Sequence, residues 1–121
     1  MTYDPLSEVI DDSLTIDASV VEQVRTFRRA PKLMNLPGVN VTEERERLER
    51  VLNDLVDRLL NGIEENPTKL WALTQFQPSL QSVAGEDTEG REHFGMEIES
   101  LMEILGIDSS DGLLTYYLGG V

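Results

Sequence analysis

The residue types best suited to chemistry in this sequence are its single histidine and the carboxylates around it. Glu89, His93 and Glu97 follow one another at intervals of four, so on a helix they lie along one side and could hold a divalent metal. The sequence lacks the second half of a helical di-metal site, which would be a paired Glu-x-x-His motif with further inward carboxylates. Acid-rich helices produce this spacing by chance. We therefore predict a histidine at the boundary of the core, with no bound metal.

Ser109 and Ser110 are the other candidates for chemistry, as nucleophiles. The sequence has no cysteine and no Gly-x-Ser-x-Gly motif, and His93 is the only histidine that could act as a base. These serines more simply cap a helix, with a hydroxyl accepting from first-turn amides and Asp111 favouring the positive end of the dipole. The glycines form no phosphate-binding loop. We therefore predict no catalytic residue and no bound cofactor.

Charge is the most pronounced property of the sequence. The 121 residues include 10 Lys and Arg but 23 Asp and Glu, a net charge of −13 that should repel nucleic acid and anionic membranes. Residues 18–40 carry four bases and one acid, whereas residues 86–108 carry eight acids and one base. Within the second range, four acids lie opposite the apolar stripe of a predicted helix and are our candidate site for a basic protein partner: Glu89, Glu92, Glu99 and Glu103.

Hydrophobic periodicity predicts an all-α protein, a compact bundle of four main helices and a short C-terminal helix. The predicted ranges are 18–29, 43–65, 67–84, 88–105 and 111–118. Nothing in the sequence has the alternation of a strand. Residues 1–16 form an acidic lead-in that we expect to be partly flexible, and residues 17–121 form a single helical domain. No run approaches about 18 apolar residues and the N-terminus has no basic leader, so a cytoplasmic protein is expected.

Local signals refine these helices. Asp17, Thr42 and either Asp87 or Thr88 are predicted N-caps, and Pro78 should break or kink the third helix. The second helix is apolar over about half its circumference, which implies more than one neighbour. Its other half offers three i,i+4 ion pairs, Glu43–Arg47, Glu46–Arg50 and Asp54–Arg58. A turn is predicted at Pro37-Gly38, and Trp71 belongs either to the core or, if exposed, to a binding surface.

The last third of the chain carries a family resemblance. Glu86-Asp87-Thr88-Glu89-Gly90-Arg91-Glu92 is followed by an apolar and acidic helix through Ile107 and then by Ser109-Ser110-Asp111-Gly112-Leu113-Leu114. Residues 86–118 resemble a small bacterial family catalogued as domain of unknown function 4844. The resemblance implies a stand-alone helical domain, and it brings no known activity and no catalytic residues.

Three classes of function are compatible with these observations. The first is a non-enzymatic protein–protein interaction domain, such as an acidic immunity or antitoxin-like inhibitor of a basic partner. The second is a homo-oligomeric structural or regulatory domain, with a homodimer as its simplest form. The third, an enzyme with a metal site at His93, ranks last because the sequence lacks a nucleophile, a second metal half-site and a cofactor motif.

Overall fold

The computed structural model describes residues 3–36 and 41–119, in which five α-helices follow a short 3-10 helix, Pro5–Glu8. The helices are α1 (Ala18–Arg29), α2 (Val41–Gly62), α3 (Lys69–Val83), α4 (Thr88–Leu105) and α5 (Leu113–Leu118). Within the described ranges, the one extended pairing is an isolated antiparallel bridge between Ser13 and Thr68. The all-α prediction, with four long helices and a short one, is therefore confirmed. The turn predicted at Pro37-Gly38 lies outside the described residues.

Helix α2 packs against three of the other helices, and its wide apolar arc explains why. It contacts α1, α3 and α4, which confirms that so wide an arc serves more than one neighbour. Burial of each of its large aliphatic side chains stabilises the fold by about 1.5–3 kcal/mol. The fully buried members of this arc are Leu48, Leu52, Leu55, Val56, Leu59 and Ile63, of which Ile63 directly follows the helix.

Side-chain caps define most helix starts. Asp17 accepts a hydrogen bond from the Val20 amide and Asp87 accepts one from the Gly90 amide, so both predicted caps are confirmed. Such a cap stabilises its helix by about 1 kcal/mol. The prediction of Thr42 as the N-cap of α2 is wrong, because α2 already includes Val41 and a residue within the first turn has the helical backbone that a cap lacks.

Helix α3 continues through a proline. It begins at Lys69 rather than Pro67, with the Thr68 hydroxyl accepting from the Trp71 amide at 3.2 Å. Pro78 lies inside it and does not break it, although the ring removes one helical hydrogen bond and crowds the preceding turn. Arg58 of α2 supports this turn by donating to the Gln75 carbonyl at 2.9 Å and to the Ser79 hydroxyl at 2.8 Å.

The three ion pairs predicted along α2 are absent from the described residues. Arg58 turns towards α3, as above, and Arg47 instead pairs with Glu86, beyond the end of α3. In both cases the arginine bonds to a neighbouring structural unit rather than to its own helix. Helix α2 also ends at Gly62, three residues before the predicted end.

The segment before α5 determines where that helix starts and also contacts the N-terminal segment and α3. Helix α5 starts at Leu113, later than predicted, because Asp111 (φ 53°) and Gly112 (φ 92°) have left-handed backbones. The Ser110 hydroxyl accepts from the Leu114 amide at 3.2 Å, as predicted for one of the serines, but the N-cap position itself is Gly112 and has no side-chain cap. Asp111 accepts from the Lys69 ammonium at 2.7 Å and from the Ile10 amide at 2.9 Å. The domain boundary at residue 16 and the flexibility of the residues before it stay predictions.

Candidate functional site

One side of α4 carries the candidate site. Phe94, Ile98, Leu101 and Leu105 are buried on the opposite side. With 3.6 residues per turn, four glutamates fall within an arc of about 80° and extend over about 21 Å of the helix. We call these four side chains the acidic strip: Glu89, Glu92, Glu99 and Glu103. Glu92 is partly exposed and the other three are exposed, so the structure brings all four predicted residues together on one accessible face.

The acidic strip differs in its pairing from two other surface carboxylates, Glu22 and Asp57. Glu22 lies 3.2 Å from Arg29, and Asp57 lies 2.9 Å from Arg28. In the part of the chain that the structure describes, the only contact of the strip with a basic side chain joins Glu89 to His93, at 3.8 Å. The strip therefore keeps most of its negative charge uncompensated by the protein itself.

His93 and Glu97 have separate roles. The His93 side chain is partly buried, as expected of a boundary residue. Glu97 accepts a hydrogen bond from the Leu33 amide at 2.8 Å. Among residues 3–36 and 41–119, no three His, Asp or Glu side chains are grouped so that they could hold a metal ion.

A cleft of about 490 Å³ lies at the C-terminal end of the strip. Glu99, Glu103 and Asp108 contribute carboxylates to its wall, and the C-terminus of α4 adds the negative end of a helix dipole. Part of its lining is apolar, from Met102, Ile107 and Leu114. This combination suits a lysine or arginine side chain, whose hydrocarbon stem covers apolar surface while its cation meets carboxylates.

A second, smaller depression, which is not predicted from the sequence, lies beside the strip. Met34 is 61% exposed and Met96 is 54% exposed, and both line a groove of about 210 Å³ between α4 and the segment that follows α1. We call this depression the methionine groove; Leu33, Asn35, His93, Glu97 and Ser100 also line it. Met96 could have been found from the sequence, because it falls within the polar arc of α4. Met34 could not, because it lies outside every helix.

The segment that carries Met34 is held by contacts to three helices. Lys32 is buried, and its ammonium donates to the carbonyls of Arg28 (3.0 Å) and Ala30 (2.8 Å) at the end of α1. This burial lowers the pKa of the Lys32 ammonium, because the charged form loses hydration. The Lys32 amide donates to Glu49 of α2 at 3.3 Å, and the Leu33 amide donates to Glu97 of α4.

Trp71 lies on α3 and is partly buried. It packs against the core, and the edge of its ring covers Gly62 at the end of α2. The alternative in which Trp71 is an exposed binding residue therefore does not describe this side chain.

None of the described helices combines the length and the apolar character needed to cross a membrane. Comparisons with curated proteins and with solved structures give no match for this chain. A family model described as "Domain of unknown function (DUF4844)" matches residues 15–121, far more than the 86–118 range that carries the resemblance in sequence. The chain therefore belongs to the DUF4844 family.

Proposed function

We propose that this protein is a non-enzymatic interaction domain whose acidic strip binds a basic protein partner. The observation that carries the proposal is the set of four accessible glutamates on one face of α4, of which only Glu89 contacts a basic side chain of the described residues. Uncompensated charges of one sign raise the rate at which an oppositely charged partner associates.

The contrast with α1 supports an external countercharge. Glu22 and Asp57 form ion pairs with arginines of the same bundle, so their charges are compensated within the protein itself. Among the described residues, no lysine or arginine lies within ion-pair distance of the strip, and the cleft beside Glu103 has the lining that a lysine or arginine side chain needs. A basic partner would supply both the missing countercharges and the occupant of the cleft.

An immunity or antitoxin-like inhibitor in the cytoplasm is one kind of protein that fits this proposal, since it would mask a basic toxin. The net charge of −13 supports this interpretation, although the same charge also favours solubility. A homo-oligomeric structural or regulatory domain is the alternative, and the following experiment separates the two.

The test compares two charge-reversed variants of the tagged protein. The first is E89K/E92K/E99K/E103K, which reverses the acidic strip. The second, E46K/D54K/E64K/E65K, makes the same total charge change at exposed acids on and just after α2 that form no hydrogen bond or ion pair with described residues. Both variants and the wild type are used to capture proteins from a lysate of the native host at low and at high salt.

We expect the wild type and the α2 variant to capture one basic protein in stoichiometric amounts, with release by salt. The strip variant should associate with that protein at least about tenfold more slowly at low salt, while its helicity by circular dichroism is unchanged. Equal capture by both variants at every salt concentration would contradict the proposal. Recovery of the protein alone, with a mass that depends on concentration, would favour the homo-oligomer.

A further inference from the structure

We infer that the methionine groove takes an apolar side chain of the same basic partner, so that the partner docks as an amphipathic segment. This inference rests on the proposed function and adds the class of ligand that the surface recognises. Its basic side chains would face the acidic strip, and one large aliphatic or aromatic side chain would lie between Met34 and Met96.

The exposed methionines are the first observation. A methionine side chain gains free energy from burial, yet both Met34 and Met96 have more than half of their surface in solvent. Both line a single groove whose volume of about 210 Å³ suits one large apolar side chain. Methionine is unbranched and polarisable, and surfaces that bind varied peptides use it for that reason.

The groove is preformed, which is the second observation. Leu33 has a left-handed backbone (φ 59°), which a side chain with a Cβ rarely adopts, and Lys32 is buried with its charge. Both features cost free energy, and they persist because Glu49 and Glu97 hold the two amides from opposite helices. The result is a fixed segment that presents Met34 to solvent, so little conformational entropy is lost when a ligand binds.

Charge determines the orientation of the ligand. Met96 falls within the arc of the acidic strip, so one side of the groove borders carboxylates. On its other side, Met34 also borders a separate cleft in which three arginines are mixed with Glu46 and Glu49, so the excess of negative charge lies on the α4 side. A ligand seated in the groove is therefore favoured when its cations lie over α4 and when its apolar residue points into the groove. These are the two faces of a basic amphipathic helix.

The probes for the test are two synthetic peptides of about 15 residues, long enough for appreciable helix formation. Both carry the same lysines on one face, and they differ at one position on the adjoining face, which is leucine in one peptide and serine in the other. Binding to the full protein is measured by fluorescence anisotropy over a series of salt concentrations.

We expect the wild type to bind the leucine peptide about tenfold more tightly than the serine peptide, since the leucine buries its side chain in the groove. Both affinities should fall with salt, but their ratio should not, because only the shared lysines are screened. The variant M34S/M96S should lose most of the preference for leucine and keep its affinity for the serine peptide. The control variant I10S/L70S, which changes exposed apolar residues elsewhere, should keep the tenfold preference.

Equal affinity of the wild type for the two peptides would overturn the inference, and so would failure of both peptides to bind at low salt. A leucine preference that survives in M34S/M96S would overturn it as well, because the apolar contact would then lie elsewhere. The proposed function is judged separately, by the loss of partner capture in the strip variant. If the acidic strip binds both peptides equally through their lysines, the inference fails but the proposed function stands.

Discussion

Gly62, the last residue of α2, lies directly beneath the ring of Trp71. A methyl group at Gly62 would approach Cζ2 of Trp71 to 2.6 Å and Cη2 to 2.9 Å, distances that carbon atoms essentially never show. The absence of a side chain at this position therefore lets the ring close over the end of α2. Trp71 is the only tryptophan, so its fluorescence reports on this contact directly.

We expect Gly62→Ala to lower the free energy of unfolding by about 1–3 kcal/mol, because the ring must move aside. This effect should exceed the gain in helix propensity, which is at most about 1 kcal/mol. Urea unfolding followed by Trp71 fluorescence measures both the stability and the displaced ring. Gly85→Ala is the matched control, since no atom lies within 4 Å of a methyl group there, and its effect should stay within about 0.5 kcal/mol. A Gly62→Ala protein with wild-type stability and fluorescence would contradict this account.

At the residue scale, the sequence predicts the contacts that a residue makes with its near neighbours in the chain. The caps at Asp17 and Asp87 could be predicted because each aspartate bonds an amide three residues further along the chain. The sequence marks Gly62 only as a weak helix former, since its contact with Trp71 requires the packing of two helices. The sequence pattern groups Glu97 with His93 because it shows only near neighbours. The hydrogen-bond partner of Glu97 is the Leu33 amide, which lies 64 residues away in the sequence.

At the scale of elements, Asp111 joins three parts of the chain, which are the N-terminal segment, α3 and the residues before α5. The Lys69 ammonium and the Ile10 amide both donate to its carboxylate, at 2.7 Å and 2.9 Å. These hydrogen bonds, that from Lys69 above all, lower the pKa of the Asp111 carboxyl below its ordinary value. A carboxyl with a lowered pKa in the folded state stabilises the fold above its unfolded pKa, and that contribution is lost as the pH falls through the folded pKa.

We therefore expect Asp111→Asn to be less stable than the wild type at pH 7, with a difference that shrinks as the pH falls below about 4. Asparagine is the appropriate replacement because it keeps the shape of aspartate and tolerates the left-handed backbone. Urea unfolding at a series of pH values measures the difference. Asp108→Asn is the control, since Asp108 is exposed and its carboxylate has no hydrogen bond within the described ranges, so its stability should follow the wild type at each pH. A wild-type to Asp111→Asn difference that is the same at pH 7 and pH 3 would argue against the ion pair.

The elements themselves were largely predictable, because amphipathic periodicity survives in any packing arrangement. The periods of α1 and α4 predict both helices with the ends that the structure has. Of the break or kink predicted at Pro78, the break does not occur: α3 continues past the proline, and Arg58 from α2 supplies hydrogen bonds to that turn. The predicted start of α5 is two residues too early because Asp111 and Gly112 have left-handed backbones, which the sequence pattern does not reveal at Asp111.

At the scale of the whole molecule, the candidate site combines a predictable part with an unpredictable one. The acidic strip follows from the spacing of four glutamates on one helix, so the sequence is sufficient to place them on one face. The methionine groove depends on where the segment after α1 lies against α4, and this is decided by Glu97, Glu49 and the buried Lys32. No local pattern reports such contacts, and only the assembled bundle brings Met34 beside Met96.

The acidic strip should also lower the stability of the molecule that carries it. Glu99 and Glu103 are four residues apart and Glu89 and Glu92 are three apart, and each such pair of like charges is destabilising by about 0.2–0.5 kcal/mol. The variant E89Q/E92Q/E99Q/E103Q removes four negative charges and changes the net charge from −13 to −9. We expect it to be about 0.4–1 kcal/mol more stable than the wild type at low salt, as measured by urea unfolding. Near 1 M salt, where the screening length is about 3 Å, the gain should disappear.

A loss of stability in the glutamine variant, or a gain that does not depend on salt, would mean that the glutamates have stabilising contacts within the bundle, and it would weaken the proposed function. The expected gain would have the opposite meaning. A row of side chains that stabilises the fold when it is neutralised is not required for folding, and sites that oppose local stability are typically sites of function. The cost would then be offset when a basic partner supplies the countercharges that the bundle does not.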